Sequence, residues 1–394
     1  MKKNDWLTIG ISLIILASCQ SKQESMEPIY KTELVETNKI TLPIDENTYY
    51  LSRSMFHFEE NGKEYLHFEH TEKRQYELIV FDLTEKAVSK RIPMTREGPN
   101  GILGVCGSRP YNSLNSFMLF QHNVGQLSLI NDLGEILRKY QTWHPKGQFV
   151  YTEISSFIHW PSFVKDSIVY FHQMGIHPKM KKADWGKLNL FGSLDLRNGK
   201  FEWTPLFYPS SLFNCDVKEP AGGYFFSYDY NYKENRLVCA FLESDSLMVT
   251  DDLKNVKWYN GKSRYLNKMT PHIAEASEGI KYLKENIEGA AYHNIMYDKY
   301  RDVYYRIAEL PCKLGEGEYP VGAIPPKARE FSVIIFDKDF RIIGETKFPG
   351  NKYFYKMSFI GRDGLYISEN NEANPEFDEN KLVFACFGLQ DLKN

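Results

Sequence analysis

The sequence predicts an all-β protein, a six-bladed β-propeller built from four-stranded antiparallel blades. The chain of 394 residues contains 26 Tyr, 26 Phe and 6 Trp, and aromatic residues favour strands. One unit recurs along it: an apolar strand, a turn that contains Asp, and a strand that carries Lys. The turn residues are Asp82, Asp132, Asp195, Asp252 and Asp337, at intervals of 50, 63, 57 and 85 residues. Asp favours tight turns because its carboxylate can accept a hydrogen bond from the backbone two residues on.

Two further predicted strands precede several of these units, which gives four-stranded meanders of the kind that form propeller blades. The last block offers only three strands, 356–361, 365–368 and 382–388. The N-terminal strand Lys39–Pro43 is similar to Lys90–Pro93 and is expected to pair into the last blade, which would leave no open edge. Residues 38–394 then divide as 357/6, or about 60 residues a blade. Seven blades are the alternative, if the interval of 85 residues contains another one.

That longest interval contains a predicted amphipathic helix at residues 270–288. Ile273, Ile280, Leu283 and Ile287 share one helical face, and Pro271 stands at the first helical position. We expect a small helical insertion that packs on a blade, and a partner-binding helix is the alternative.

The N-terminus predicts export and lipid attachment. Two lysines precede an apolar run of 12 residues, Trp6 to Ala17, which is too short to cross a bilayer and is typical of a signal peptide. Cys19 follows the small residues Ala17 and Ser18, as in the bacterial lipobox. We therefore predict a signal peptide at 1–18, a lipidated Cys19 with a flexible tether over 19–37, and a single propeller domain at 38–394. A plain secretory signal with an incidental Cys is the alternative.

Composition and motifs exclude several function classes. With 48 Lys+Arg against 51 Asp+Glu the net charge is −3, which does not provide the basic surface that nucleic-acid binding requires. No nucleophile signature and no carboxylate pair with the spacing of a glycosidase is present in the sequence. His67 and His70 are three residues apart, so a strand would place them on opposite faces. No catalytic residue, metal site or cofactor is predicted.

Three features carry a resemblance to a known family. They are the lipobox that ends at Cys19, the strand Lys90-Arg91-Ile92-Pro93, and the segment Arg96–Ile102 with its central Gly98-Pro99. On these, the chain resembles a bacterial lipoprotein family grouped as a domain of unknown function and related to six-bladed β-propeller proteins. The resemblance implies this fold and a place in the Gram-negative cell envelope. By similarity to other lipoproteins, Gln20 instead of Asp after the cysteine favours the outer membrane. The resemblance implies no activity.

Two functions remain open from the sequence. The first is a non-catalytic binding or scaffold propeller for a glycan, a peptide or an envelope protein, attached to the membrane by its lipid. The alternative is a glycan-active hydrolase or lyase whose acidic residues converge at the propeller centre. Long predicted connections lie on one face, where binding residues concentrate. The candidate binding residues there are Arg96, Arg109, His144, His177, Trp185 and Tyr319, although such loops could also merely cap the mouth.

Overall fold

The structure is a computed structural model that describes residues 26–70, 76–121, 124–142, 154–172, 186–209, 225–267, 269, 288–313 and 329–393. Within these ranges the chain forms 24 strands. They are β1 (Thr32–Pro43), β2 (Met55–Glu60), β3 (Lys63–His70), β4 (Tyr76–Asp82), β5 (Ala87–Met94), β6 (Val105–Tyr111), β7 (Ser113–Gln121), β8 (Gln126–Asn131), β9 (Ile136–Gln141), β10 (Phe163–Lys165), β11 (Ile168–His172), β12 (Phe191–Asp195), β13 (Phe201–Trp203), β14 (Phe226–Asn231), β15 (Arg236–Phe241), β16 (Ser246–Thr250), β17 (Lys257–Asn260), β18 (Ala291–Asp298), β19 (Val303–Glu309), β20 (Phe331–Asp337), β21 (Ile342–Phe348), β22 (Phe354–Ile360), β23 (Leu365–Ser368) and β24 (Lys381–Asp391).

These strands form four separate four-stranded sheets in a propeller-like arrangement and one eight-stranded sheet. The four small sheets are the meanders β2–β5, β6–β9, β10–β13 and β14–β17, while the large sheet has the order β18-β19-β20-β21-β1-β24-β23-β22. The prediction of six separate blades is therefore wrong, and no seventh sheet occurs in the described ranges. The physical reason is β1, which joins two groups of strands into one sheet.

Strand β1 makes that connection because it pairs with β24 over most of its length and with β21 at one position. It pairs antiparallel with β24 from Thr32↔Asp391 to Pro43↔Lys381, so the predicted pairing of the N-terminal strand with the last strand is confirmed. At one position, Thr32↔Gly344, it also pairs in parallel with β21. A Cβ at Gly344 would lie 2.1 Å from the Thr32 carbonyl oxygen, so only glycine permits this approach. β1 begins before the predicted strand, and Thr32–Thr37 belong to the sheet.

The recurring Asp turns form as the sequence indicates. The Asp82 carboxylate accepts hydrogen bonds from two backbone N–H groups of its turn, at 2.9 and 3.0 Å. Asp195, Asp252 and Asp337 accept equivalent backbone bonds in theirs. In the second sheet Asn131, not Asp132, takes this role. The helical insertion predicted for 270–288 lies outside the described residues except for its last residue, and the described ranges are almost free of helix.

The first strands of the small sheets and both edge strands of the large sheet surround a common axis. Strands β2, β6, β14, β18 and β22 contact one another in sequence around it, as β2 to β6, β14 to β18 to β22, and β22 back to β2. The segment before β10 completes the ring, because Ser156 bridges to Gly107 of β6 and Tyr228 of β14 donates to the His159 carbonyl. Apolar clusters fill the spaces between neighbouring sheets and between the two halves of the large sheet.

A tight turn at residues 157–160 crosses this ring. Phe157 and Trp160 pair with each other through two backbone hydrogen bonds of 3.0 and 3.2 Å. Between them, the Ile158 N–H donates to the Arg53 carbonyl, which precedes β2, at 2.9 Å. The turn thus contacts opposite sides of the ring and divides the central space into two ends.

Candidate functional site

The end of the ring toward the β2–β3 and β6–β7 turns contains a cavity of about 160 Å³. Every strand group of the ring contributes to its wall. The lining residues include Phe56, His57, Arg109, Ile158, Phe163, Asp229, Tyr230, Tyr297 and Phe359. At the ~30 Å³ that a molecule of liquid water occupies, this space corresponds to about five waters. It is therefore large enough for a small chemical group but not for a folded segment.

A second, wider cavity of about 370 Å³ adjoins the first on the solvent side. The two share Phe56, His57, Arg109 and Tyr232. The wider one adds residues from the tight turns, namely Tyr111, Asn112, Asp166 and Ser167 among others. We call the first, smaller cavity the inner cavity, and the two together the axial cavity. It opens among the short turns that follow the first strands β2, β6 and β10.

Arg109 is the cation that both parts of the axial cavity share. Its guanidinium lies 5.3 Å from the centre of the Phe56 ring. Its Nε is buried and has no hydrogen-bond partner in the described structure. No described carboxylate lies within ion-pair distance of it. A buried donor without a partner is costly, so this guanidinium is prepared to bind an acceptor that enters the cavity.

Asp229 is the carboxylate of the inner cavity. Its two oxygens accept backbone hydrogen bonds from Tyr230 and Tyr297, each at 2.8 Å. Burial raises the pKa of Asp229 to about 6, and the two backbone donors and the charge of Arg109 oppose that shift. Because both oxygens are already occupied, this carboxylate is better suited to hold β14 against β18 than to transfer a proton.

Aromatic rings form most of the remaining wall. Phe163 and Tyr230 stack nearly parallel, with ring centres 4.3 Å apart and an interplanar angle of 3°. Tyr232 is 55% exposed and packs edge-on against Tyr230, with its hydroxyl accepting a hydrogen bond from the Val164 N–H. An exposed Tyr fixed in this way offers its ring face to a ligand.

A buried polar cluster lies beside the ring, between the first two small sheets. The Ser108 hydroxyl donates to Glu69 at 2.6 Å and lies 3.2 Å from His67 Nε2. The Ser54 hydroxyl donates to the Ser108 carbonyl at 2.7 Å. This resembles a nucleophile beside its base, but Ser108 has no exposed surface and its proton is already donated to Glu69. The cluster therefore joins sheets and does not perform chemistry.

The same cluster predicts a pH dependence of stability. Burial raises the pKa of Glu69 to about 7, while an unfolded Glu titrates near 4.5. Between pH 4.5 and 7 the folded state therefore binds more protons than the unfolded state, so this group's stabilising contribution is lost as the pH rises. We expect the wild type to lose about 2 kcal/mol relative to Glu69→Gln between pH 5 and 8.

Urea unfolding of both proteins at several pH values would measure this difference. Burial also lowers the pKa of His172 to about 3, so that between pH 3 and 6.5 this histidine makes the folded state more stable as the pH rises. This contribution is the same in both proteins and cancels when their unfolding free energies are compared. A difference in unfolding free energy that stays constant with pH would show that Glu69 is ionised throughout.

The structure places the sequence-predicted site residues unequally. Arg109 lines the axial cavity, whereas Arg96 is exposed in the connection from β5 to β6 and does not line it. His144, His177, Trp185, Tyr319 and the lipidation site Cys19 lie outside the described residues. Phe56, His57, Asp229 and Tyr232 were not predicted, because they come from separate strands and form no linear motif.

Neither a metal site nor a membrane-spanning helix is found in the described ranges. No group of three or more His, Cys, Asp and Glu side chains there is arranged to hold a metal ion. No helix in those ranges is both long and apolar enough to span a bilayer. Cys239 and Cys386 are buried free thiols, as their apolar surroundings in the sequence indicate.

Fold and cavity together define a propeller-like all-β protein with a small polar and aromatic site on its axis. The chain belongs to the DUF4221 family, a domain of unknown function, whose model matches residues 31–347. This confirms the resemblance to a family of unknown function seen in the sequence.

Solved structures agree with this assignment. A crystal structure of a DUF4221 member from Bacteroides vulgatus is 53% identical, covers 92% of this chain and 99% of its own, and has a TM-score of 0.86. A putative exported protein from Bacteroides fragilis shares the fold alone, with 11% identity, coverage of 94% and 99%, and a TM-score of 0.51. Curated proteins gave no match to this chain.

Proposed function

We propose that this protein is a lipid-anchored binding protein of the cell envelope, and that its axial cavity holds a carboxylate-bearing part of a glycan or peptide. The observation that carries the proposal is Arg109, a partly buried guanidinium that lies over the Phe56 ring and whose buried Nε has no hydrogen-bond partner among the described residues. Arginine recognises carboxylates through paired hydrogen bonds, and adjacent aromatic rings pack against sugar or side-chain surfaces. Attachment through Cys19 would hold this site at a membrane surface.

Binding is favoured over the glycan-cleaving alternative by the carboxylates of the axial cavity. Glycoside cleavage requires two carboxyl groups that flank the scissile bond, one of them free to donate a proton. In the inner cavity as described, Asp229 is the one carboxylate, and both of its oxygens accept backbone hydrogen bonds. Asp166 lines the wider cavity only.

Arg109→Met is expected to weaken binding of a carboxylate ligand by roughly 10- to 100-fold, because one charge-assisted hydrogen-bonding group is removed. The soluble chain from Gln20 onward would first be screened against acidic glycans and short peptides with free carboxyl termini. Titration calorimetry with the best-binding compound would then compare wild type and variant.

Arg138→Met is the matched control. Arg138 also lies over an aromatic ring, Tyr140, with its guanidinium carbon 4.8 Å from the ring centre, but it projects from the outer strand β9. It should leave the affinity unchanged. Equal loss in both variants, or cleavage of the screened compound by the wild type, would contradict the binding proposal.

A further inference from the structure

A second group of charged side chains lies at the opposite end of the ring. Arg53 precedes β2, His159 lies in the turn that crosses the ring, His293 is near the start of β18, and Lys356 is near the start of β22. The Ile158 N–H donates to the Arg53 carbonyl at 2.9 Å, which places His159 beside Arg53. We call these four residues the basic cluster.

Two contacts hold the strands that carry His293 and Lys356 next to each other. The Asn294 side chain donates to the Ser358 hydroxyl at 3.4 Å, so that these two strands run next to each other. The rings of His293 and Tyr355 have centres 6.1 Å apart. Lys356 and Arg53 both lower the pKa of His159, in addition to the larger effect of burial. Three ring elements and the crossing turn therefore direct cationic or ionisable groups at one region.

Among the described residues, Glu309 is the carboxylate that faces the basic cluster, and both of its oxygens already have partners. Its Oε1 lies 2.8 Å from His293 Nε2 and accepts a hydrogen bond from the Tyr355 hydroxyl. Its Oε2 lies 3.1 Å from Arg329 Nη1. Glu309 is 4% exposed, and its contacts with Arg329, His293 and Tyr355 together satisfy both of its oxygens.

Lys356 has no carboxylate within ion-pair distance among the described residues. In the described structure its ammonium makes no hydrogen bond and no ion pair, although the side chain is mostly enclosed. Burial lowers the pKa of Lys356, and the neighbouring charges of Arg329 and Arg53 lower it further while Glu309 opposes them. Among the described residues, Arg53, Arg329 and Lys356 give three positive charges against the one carboxylate of Glu309, an excess of two.

We propose that the basic cluster binds a small doubly charged oxyanion, a phosphate or a dicarboxylate, between Lys356, Arg53 and His159. Such an anion would supply the acceptors that Lys356 lacks and would balance the excess of two positive charges. The site is separate from the axial cavity, because the turn at 157–160 lies between them. It belongs to the face of the ring from which the long connections leave.

Thermal unfolding tests this proposal with inorganic phosphate and succinate as separate probes, each compared with chloride at equal ionic strength. The wild type should gain about 3 °C or more with at least one of the two anions, because a ligand of the folded state shifts the transition upward. Whichever probe acts identifies the phosphate or the carboxylate form of the ligand. Calorimetric titration then gives its dissociation constant.

Lys356→Met should weaken binding of that anion roughly tenfold or more. Lys338→Met, which replaces an exposed lysine in the turn after β20, should leave it unchanged. Arg53→Met, at an exposed position, provides the same test if Lys356→Met does not fold. The proposal is overturned if neither anion acts beyond chloride, or if Lys356→Met and Arg53→Met bind the anion like the wild type.

Discussion

A chain that lacks residues 32–43 is expected not to fold. This deletion removes β1, whose Leu34, Ile40 and Leu42 are at most 6% exposed. Loss of each such side chain costs about 2–5 kcal/mol, so the three together cost about 6–15 kcal/mol, which equals or exceeds the ~5–15 kcal/mol stability of a typical protein. The backbone of β24 would also lose eleven paired positions and present an open edge.

Shortened chains that begin at residues 26 and 46 provide the comparison. The first keeps the backbone hydrogen bonds that Ile29 and Lys31 donate to β21, at 3.0 and 2.7 Å. It should give a cooperative thermal transition close to that of the longer protein, whereas the second should be insoluble or show none. Equal transition midpoints would mean that the pairing of β1 contributes nothing to stability.

The sequence predicts the local parts of this fold well because local physics determines them. The strand Leu365–Ser368 is found with its predicted bounds, and the turn at Asp82 has its expected backbone hydrogen bonds. The alternation of apolar and polar residues in a strand and the hydrogen bonds of turn residues depend on a few neighbouring positions, so a single sequence contains the information for them. The same holds for the buried thiols of Cys239 and Cys386.

The number and size of the sheets depend on contacts that no local pattern encodes. The sequence segment Thr32–Thr37 looks like part of a tether, because charged Glu33 and Glu36 interrupt it. Only pairing with a strand about 350 residues away reveals it as the first half of β1, with Thr32 opposite Asp391. One further residue pair, Thr32↔Gly344, then joins strands that the sequence assigns to separate blades.

Of the residues that line the axial cavity, the sequence predicted only one as a binding residue, for a related reason. Arg109 attracts notice near a Gly-Pro turn, but Asp229 and Phe56 are separated from it by 120 and 53 residues. Their convergence follows from the ring of first strands. A signal is present in the sequence: each strand of the ring has an aromatic or acidic residue among its last three positions. That pattern also fits a buried strand end, so the sequence alone could not distinguish the two.

Replacement of Cys19 by Ser is expected to abolish membrane attachment completely. In the proposed lipoprotein this thiol is the site of acylation. Each buried CH₂ of an acyl chain contributes about 0.8 kcal/mol, so that several acyl chains together hold a protein stably at the membrane. A protein without acyl chains lacks this anchor. The apolar run from Trp6 to Ala17 would be removed with the signal peptide and could not substitute for the lipid. The full-length chain would be produced in a Gram-negative host and analysed by detergent phase partitioning.

The wild type should enter the detergent phase and Cys19→Ser the aqueous phase, with the same thermal transition because the fold retains every described contact. Cys312→Ser is the matched control, since Cys312 is a partly buried cysteine of the folded part and its replacement should leave partitioning unchanged. A Cys19→Ser protein that still enters the detergent phase would contradict the lipid anchor. A wild type found in the aqueous phase would instead favour a plain secretory signal, because the anchor and the cysteine would then be unconnected.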